Sequence, residues 1–122
     1  MFHKVLLALD QNQEPFEQAV ALVTFCGAQV SLVVAVPSEA EVAAAEAWLG
    51  GVQKSLHSQG IDANSFVRVG QPAFTICDLA DELNVDLIIV GCRGTGLTEE
   101  GMAESVSIRV INLAPCPVLV IP

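Results

Sequence analysis

The chain has 122 residues, 52% of them apolar, and a formal net charge of -9 from 14 acidic against 5 basic side chains. That length supports one domain, spanning 1–122, with room for a single core, and the apolar share separates it from disordered segments. The bases Lys4, Lys54, Arg68, Arg93 and Arg109 are scattered, which argues against nucleic acid and anionic membrane as partners; no apolar run approaches the ~18 residues of a membrane span and no signal layout opens the chain, so a cytoplasmic protein is expected.

In chain order, Val5 to Leu9 reads as a first strand ending at Asp10, followed by a polar turn over Gln11 to Gln13. Pro15 suits the first turn of a helix. Phe16, Ala19, Val20 and Val23 keep helical spacing up to Cys26, with Gly27 as the C-terminal cap. Val30 to Val36 is apolar at nearly every position, the habit of a strand covered on both faces in a parallel sheet, and Pro37 closes it. Ser38 is expected to open a long helix, with Glu39 and Glu41 favoured by its dipole and Val42, Ala45, Leu49, Val52 and Leu56 as its apolar stripe. Gly50-Gly51 lies in the middle of that stripe and predicts a kink or break, since each glycine costs about 1 kcal/mol relative to alanine.

After Gly60, Ser65 to Val69 alternates and is β-branched, as suits a strand nearer a sheet edge. Gly70-Gln71-Pro72 opens a helix that turns Ile76, Leu79, Ala80 and Leu83 inward. Asn84-Val85-Asp86 turns into a fourth strand, Leu87 to Val90. A helix from about Glu104 to Leu113 follows a glycine-rich stretch, and Val118 to Ile121 forms the fifth strand after Pro115-Cys116-Pro117. Strictly alternating strands and helices with short connections make this an α/β fold: a single doubly wound, Rossmann-like domain with a parallel sheet and helices on both faces.

Ligands in such sheets bind beyond the carboxyl ends of the strands, where chain order reverses. Asp10 follows strand one and Gly91 follows strand four, so the two converge if those strands are neighbours. The stretch Val90-Gly91-Cys92-Arg93-Gly94-Thr95-Gly96 brings bare backbone N–H groups to that edge, and the hydroxyls of Ser105 and Ser107 open the next helix. This is the layout of a phosphate cradle. Glu104 opposes it, because it sets a carboxylate where an anion would sit.

No catalytic constellation accompanies the cradle, and no enzyme is expected. His3 and His57 lie in a terminus and a helix end with no serine or cysteine paired to either. Cys26, Cys77, Cys92 and Cys116 are too far apart for a zinc motif; three adjoin apolar segments and read as packed thiols, and no metal site is expected. A receiver domain would need a second acid after strand one, an aspartate after strand three and a lysine after strand five, where Gln11, Gly70 and Pro122 stand. A flavin carrier would need aromatic residues to sandwich the ring, and Trp48, the one tryptophan, falls in a helix stripe.

Four stretches together resemble the universal stress protein family: Lys4 to Asp10, Gly70-Gln71-Pro72-Ala73, Asp86 to Gly94, and Ser105 to Val110 running into Ala114 to Val120. The resemblance implies a five-stranded sheet of order 3-2-1-4-5 and a homodimer paired through the last strand, Val118, Leu119, Val120 and Ile121. A short uncharged strand at a sheet edge independently calls for a partner. Many members of the family bind ATP through G-x2-G-x9-G-[ST]. Gly91, Gly94 and Ser105 match that motif, and Glu104 replaces its third glycine. The resemblance further implies roles for Asp10 at ribose or metal, Ala8 where nucleotide-binding members have proline, Val36 at adenine, and Ser107, with Arg93 and Val106 beside the motif, near the phosphates. It points to a stress-response protein with a degenerate adenine-nucleotide site, acting through protein contacts with a partner still to be identified. No cofactor is required in this reading; ATP or AMP, with Mg²⁺ bridging Glu104 and phosphate, is the ligand of the alternative reading, a nucleotide sensor that tolerates Glu104.

Overall fold

The computed structural model describes residues 2–10, 17–91 and 106–122. Its elements run β1 Lys4–Ala8, α1 Glu17–Cys26, β2 Gln29–Val36, a 3₁₀ turn Glu39–Glu41, α2 Val42–Ser58, β3 Ala63–Val69, α3 Pro72–Leu83 and β4 Leu87–Gly91. A helix over 106–113, here α4, precedes β5 Val118–Ile121. The sheet has five parallel strands in the order β3-β2-β1-β4-β5. Fold class and strand order therefore agree with the sequence reading, and β3 lies at an edge as its alternation predicts.

Strand periodicity divides the core into two layers. Val5 and Leu7, Val30, Leu32 and Val34, and Leu87 and Ile89 face α1 and α2, whose Ala19, Val23, Ala45, Leu49, Val52 and Leu56 complete that cluster. Leu6, Val33, Ile88 and Val90 face the other way and pack with Ala73, Ile76, Leu79, Ala80 and Val110 of α3 and α4. A strand buried on both sides has no polar alternation to show, which is why β1, β2 and β4 read as continuous apolar runs. Trp48 is half-buried against the first cluster, as its place in the stripe predicts.

Two expectations about α2 are corrected. The helix runs unbroken through Gly50 and Gly51. The two glycines together cost about 2 kcal/mol, whereas fully burying the flanking Leu49 and Val52 returns roughly 1.5–3 kcal/mol for each. Ser38 does not cap the helix: its hydroxyl lies 3.5 Å from the Glu41 carboxylate, and the 3₁₀ turn intervenes before Val42. β3 also begins two residues earlier than its β-branched residues indicate. Ala63 and Asn64 are recruited by register with Val30 and Ser31, and Gln53 Nε2 donates to Ala63 O at 2.7 Å.

The turns behave as their residues require. Gly27 has φ +63°, and Ala28 N–H donates to Val23 O at 3.2 Å, closing α1 with a left-handed cap. Asn84 has φ +55° and ends α3 in the same way. At the amino edge of the sheet, the Asp86 carboxylate accepts from the N–H groups of His3 at 2.9 Å and Lys4 at 3.1 Å, holding the start of the central strand β1 against β4.

Candidate functional site

β1 and β4 are paired side by side, with Val5↔Leu87 and Leu7↔Ile89 in register. Their carboxyl ends therefore open at one place. Ala8, half-buried, ends β1 and pairs with Val33; Asp10 follows it, exposed. Gly91, half-buried, ends β4 opposite Ile121 of β5. Strand order reverses between β1 and β4, the point at which open parallel sheets form their ligand crevice.

α4 brings two more expected residues into the described structure. Val106 is half-buried in its first turn, and Ser107 is 3% exposed, the one buried polar side chain among the described residues. Burial of a hydroxyl requires a partner, and Ser107 has one. Arg93, Gly94, Glu104 and Ser105, together with Cys92 and Thr98-Glu99-Glu100, lie outside the described residues.

The register shows how Val36 sits at the end of β2. Gly70 N–H donates to Val36 O at 3.0 Å, continuing the β2–β3 ladder from the Val36↔Val69 pair. Backbone polar groups of successive strand residues point to opposite neighbours. Val36 therefore turns its N–H and C=O toward β3, and Ala35 turns its own toward β1. β1 has already left at that level: its last registered pair is Ala8↔Val33, and Leu9 N–H reaches only Val33 O, at 2.9 Å. Ala35 thus turns its N–H and C=O to the β1 side of β2, beyond the last registered β1–β2 pair among the described residues. Alanine carries no chemical signal in the sequence; its backbone direction follows only from counting the β1–β2 register from Val5↔Val30.

Next to this edge, Gly70 closes β3 with φ +150°, and a Cβ added there would lie 2.7 Å from Thr75 Oγ1. The glycine that marks the start of α3 in the sequence is therefore required by both backbone angle and space. On the α3-facing side of β3, Arg68 stacks 5.7 Å from the Phe66 ring centroid and pairs with Glu82 of α3 at 3.4 Å. Among the described residues no group of three His, Cys, Asp or Glu side chains is placed to hold a metal ion, and no helix is long and apolar enough to cross a membrane.

The geometry agrees with known proteins. A universal stress protein of Synechocystis is 60% identical over 74 residues, which are 61% of this chain and 47% of that protein. The chain spans about half the length of the curated relatives it matches first. Among solved structures, the universal stress protein UspA of Lactobacillus plantarum superposes with a TM-score of 0.84 at 23% identity, covering 98% of this chain and 97% of that one. A universal stress protein of Archaeoglobus fulgidus in complex with dAMP superposes with a TM-score of 0.75 at 22% identity, covering 98% of both chains. The family model described as the universal stress protein family matches residues 1–122, and the chain belongs to that family.

Proposed function

We propose that the chain is a non-enzymatic, dimeric stress-response protein whose crevice keeps the layout for an adenine nucleotide but disfavours its polyphosphate. The observation that carries this reading is the pairing of β1 with β4, which opens Asp10 and Gly91 at one edge with the Ala35 amide and carbonyl turned to the β1 side of β2. A purine offers adjacent donor and acceptor positions to such a backbone pair, and Asp10 suits a ribose hydroxyl. The dAMP complex of the Archaeoglobus relative supports the same class of ligand.

Glu104 then sets the preference among nucleotides. A carboxylate ~5 Å from a phosphate, at an effective dielectric of ~20–80, repels it by roughly 1–3 kcal/mol per charge pair. Each ~1.4 kcal/mol is tenfold in affinity, so ATP suffers more than AMP. The dimer would form through β5, an edge strand of uncharged residues. Exposed apolar side chains gather in the same part of the chain: Ile108 and Ile111 at 53% and Leu119 at 36%. Pairing that edge with a second copy removes an aggregation hazard. A different protein would receive the signal.

Titration calorimetry with ATP and AMP, with and without Mg²⁺, on the wild type and Glu104→Gly tests the reading. The wild type is expected to favour AMP, and the variant to gain at least tenfold for ATP. Low-micromolar ATP binding by the wild type would instead establish the second reading, a nucleotide sensor that tolerates Glu104, which the dAMP complex of the relative also favours. Light scattering should give a dimer mass for the wild type and a monomer mass for Leu119→Lys.

A further inference from the structure

Two thiols on the α3/α4 face of the sheet play no part in nucleotide binding. Cys77 of α3 is buried in the second core cluster, and its S–H donates to Val110 O of α4 at 3.8 Å. Cys116 lies in the turn between α4 and β5, half-buried against the same cluster. The next residue anchors that turn, because Ile88 N–H donates to Pro117 O at 3.0 Å. Ile88 also belongs to the cluster that holds Cys77. Both side chains thus pack against one cluster, Cys77 from α3 and Cys116 from the turn that feeds β5. Burial pushes the Cys77 thiol up, and the charges of Asp78 and Cys116 add to it. Burial also raises the Cys116 thiol, with Asp86 adding to it.

We propose that Cys77 and Cys116 are a dithiol–disulfide pair, oxidised by small-molecule disulfides, that staples α3 to the turn leading into β5. The half-exposed Cys116 reacts first. Its thiolate attacks one sulfur of the small disulfide, forms a mixed disulfide and releases one small thiolate. The Cys77 thiolate then attacks the Cys116 sulfur, closes the protein disulfide and releases the second. The protein loses two electrons and two protons, and the small disulfide becomes two thiols. Both thiols sit above the ordinary range, so the pair stays reduced in brief exposure at neutral pH and closes faster as pH rises. The staple encloses β4, the glycine-rich segment and α4 in one loop of ~40 residues, long enough to restrict the unfolded chain substantially.

The full wild-type chain incubated with glutathione disulfide should lose about 2 Da, and a non-reducing digest should yield a peptide linking Cys77 to Cys116. Its thermal midpoint should rise by several degrees and return on adding dithiothreitol, and the rate should increase with pH. Cys77→Ala should stop at a glutathione adduct on Cys116. A stable adduct on Cys116 in the wild type would show that Cys77 does not reach it and would overturn the proposal. So would a linkage through Cys26 or Cys92. Both refuting outcomes are read on the wild type, so they do not depend on a variant that folds.

Discussion

Gly70→Ala offers the sharpest test of how the carboxyl edge is built, because two separable costs meet there. At φ +150° an L-residue is strained, and holding one in a sparsely populated region costs of order 1–3 kcal/mol. The new Cβ would also sit 2.7 Å from Thr75 Oγ1. That atom lies on a short side chain, so relief means turning Thr75 off its rotamer, at about 0.5–1.5 kcal/mol. The sum is about 1.5–4.5 kcal/mol. Urea denaturation of wild type, Gly70→Ala, Thr75→Ala and the double variant resolves the two costs. Removing the hydroxyl in the double variant should recover the steric part, giving a coupling of about 0.5–1.5 kcal/mol, and leave the backbone part in place. In a thermal scan the single variant should lose roughly 3–6 °C per kcal/mol for a domain of this size. If Gly70→Ala lies within about 0.5 kcal/mol of wild type, or shows no coupling to Thr75, the edge is softer than argued and the register that aims Ala35 loses its anchor.

Other perturbations bear on the remaining layers. The carboxyl of Asp86 feels burial most, which raises it, but the N–H groups of His3 and Lys4 together outweigh that and hold it below the usual carboxylate range. Its contribution is therefore present above about pH 4 and lost as pH falls through the lowered value. Asp86→Asn should cost of order 1 kcal/mol at pH 7, reduced from a fully buried case by solvent, and the difference should vanish in acid unfolding curves near pH 2. Gly50→Ala and Gly51→Ala meet nothing within 4 Å of the added Cβ, so each should stabilise by about 0.5–1 kcal/mol in urea. Leu49→Ala removes a side chain 1% exposed and should cost about 2–5 kcal/mol; a loss under 1 kcal/mol would contradict the packing that keeps α2 unbroken.

Where the sequence misleads, a nonlocal force has overridden a local one. The apolar stripe of α2 is plain in Val42, Ala45, Leu49, Val52 and Leu56, yet the same stretch predicts a break at Gly50-Gly51. Propensity acts residue by residue, whereas the burial that outweighs it comes from β2 and β3 lying beneath. Ala63 and Asn64 join β3 only because Val30 and Ser31 are alongside. Side chains such as Asp10 and Ser107 are visible as chemistry, and the neighbouring ends of β1 and β4 follow from the order of elements. The contribution of Ala35 is invisible because it is purely backbone and depends on a register that no composition encodes.

That register is also what the proposed binding of a flat heteroaromatic ligand rests on. Between two parallel strands of equal length every amide is consumed by the ladder, and the carboxyl end offers only a loop. Here β2 outruns β1 beyond the Ala8↔Val33 pair, while β3 continues beside it to Val36↔Val69. One side of β2 is therefore satisfied to its end, by Gly70 N–H at 3.0 Å, and on the other Ala35 lies beyond the last registered pair with β1 among the described residues. A ligand edge with one donor beside one acceptor extends the sheet in place of the missing strand. Under the function proposed above, affinity for the ring would arise from β2 and be independent of the charge at Glu104, which would act only on the phosphates. A nucleoside without phosphate should then bind wild type and Glu104→Gly alike, while ATP separates them. A nucleoside that distinguishes the two proteins would show that Glu104 shapes the whole pocket and not its anion end alone.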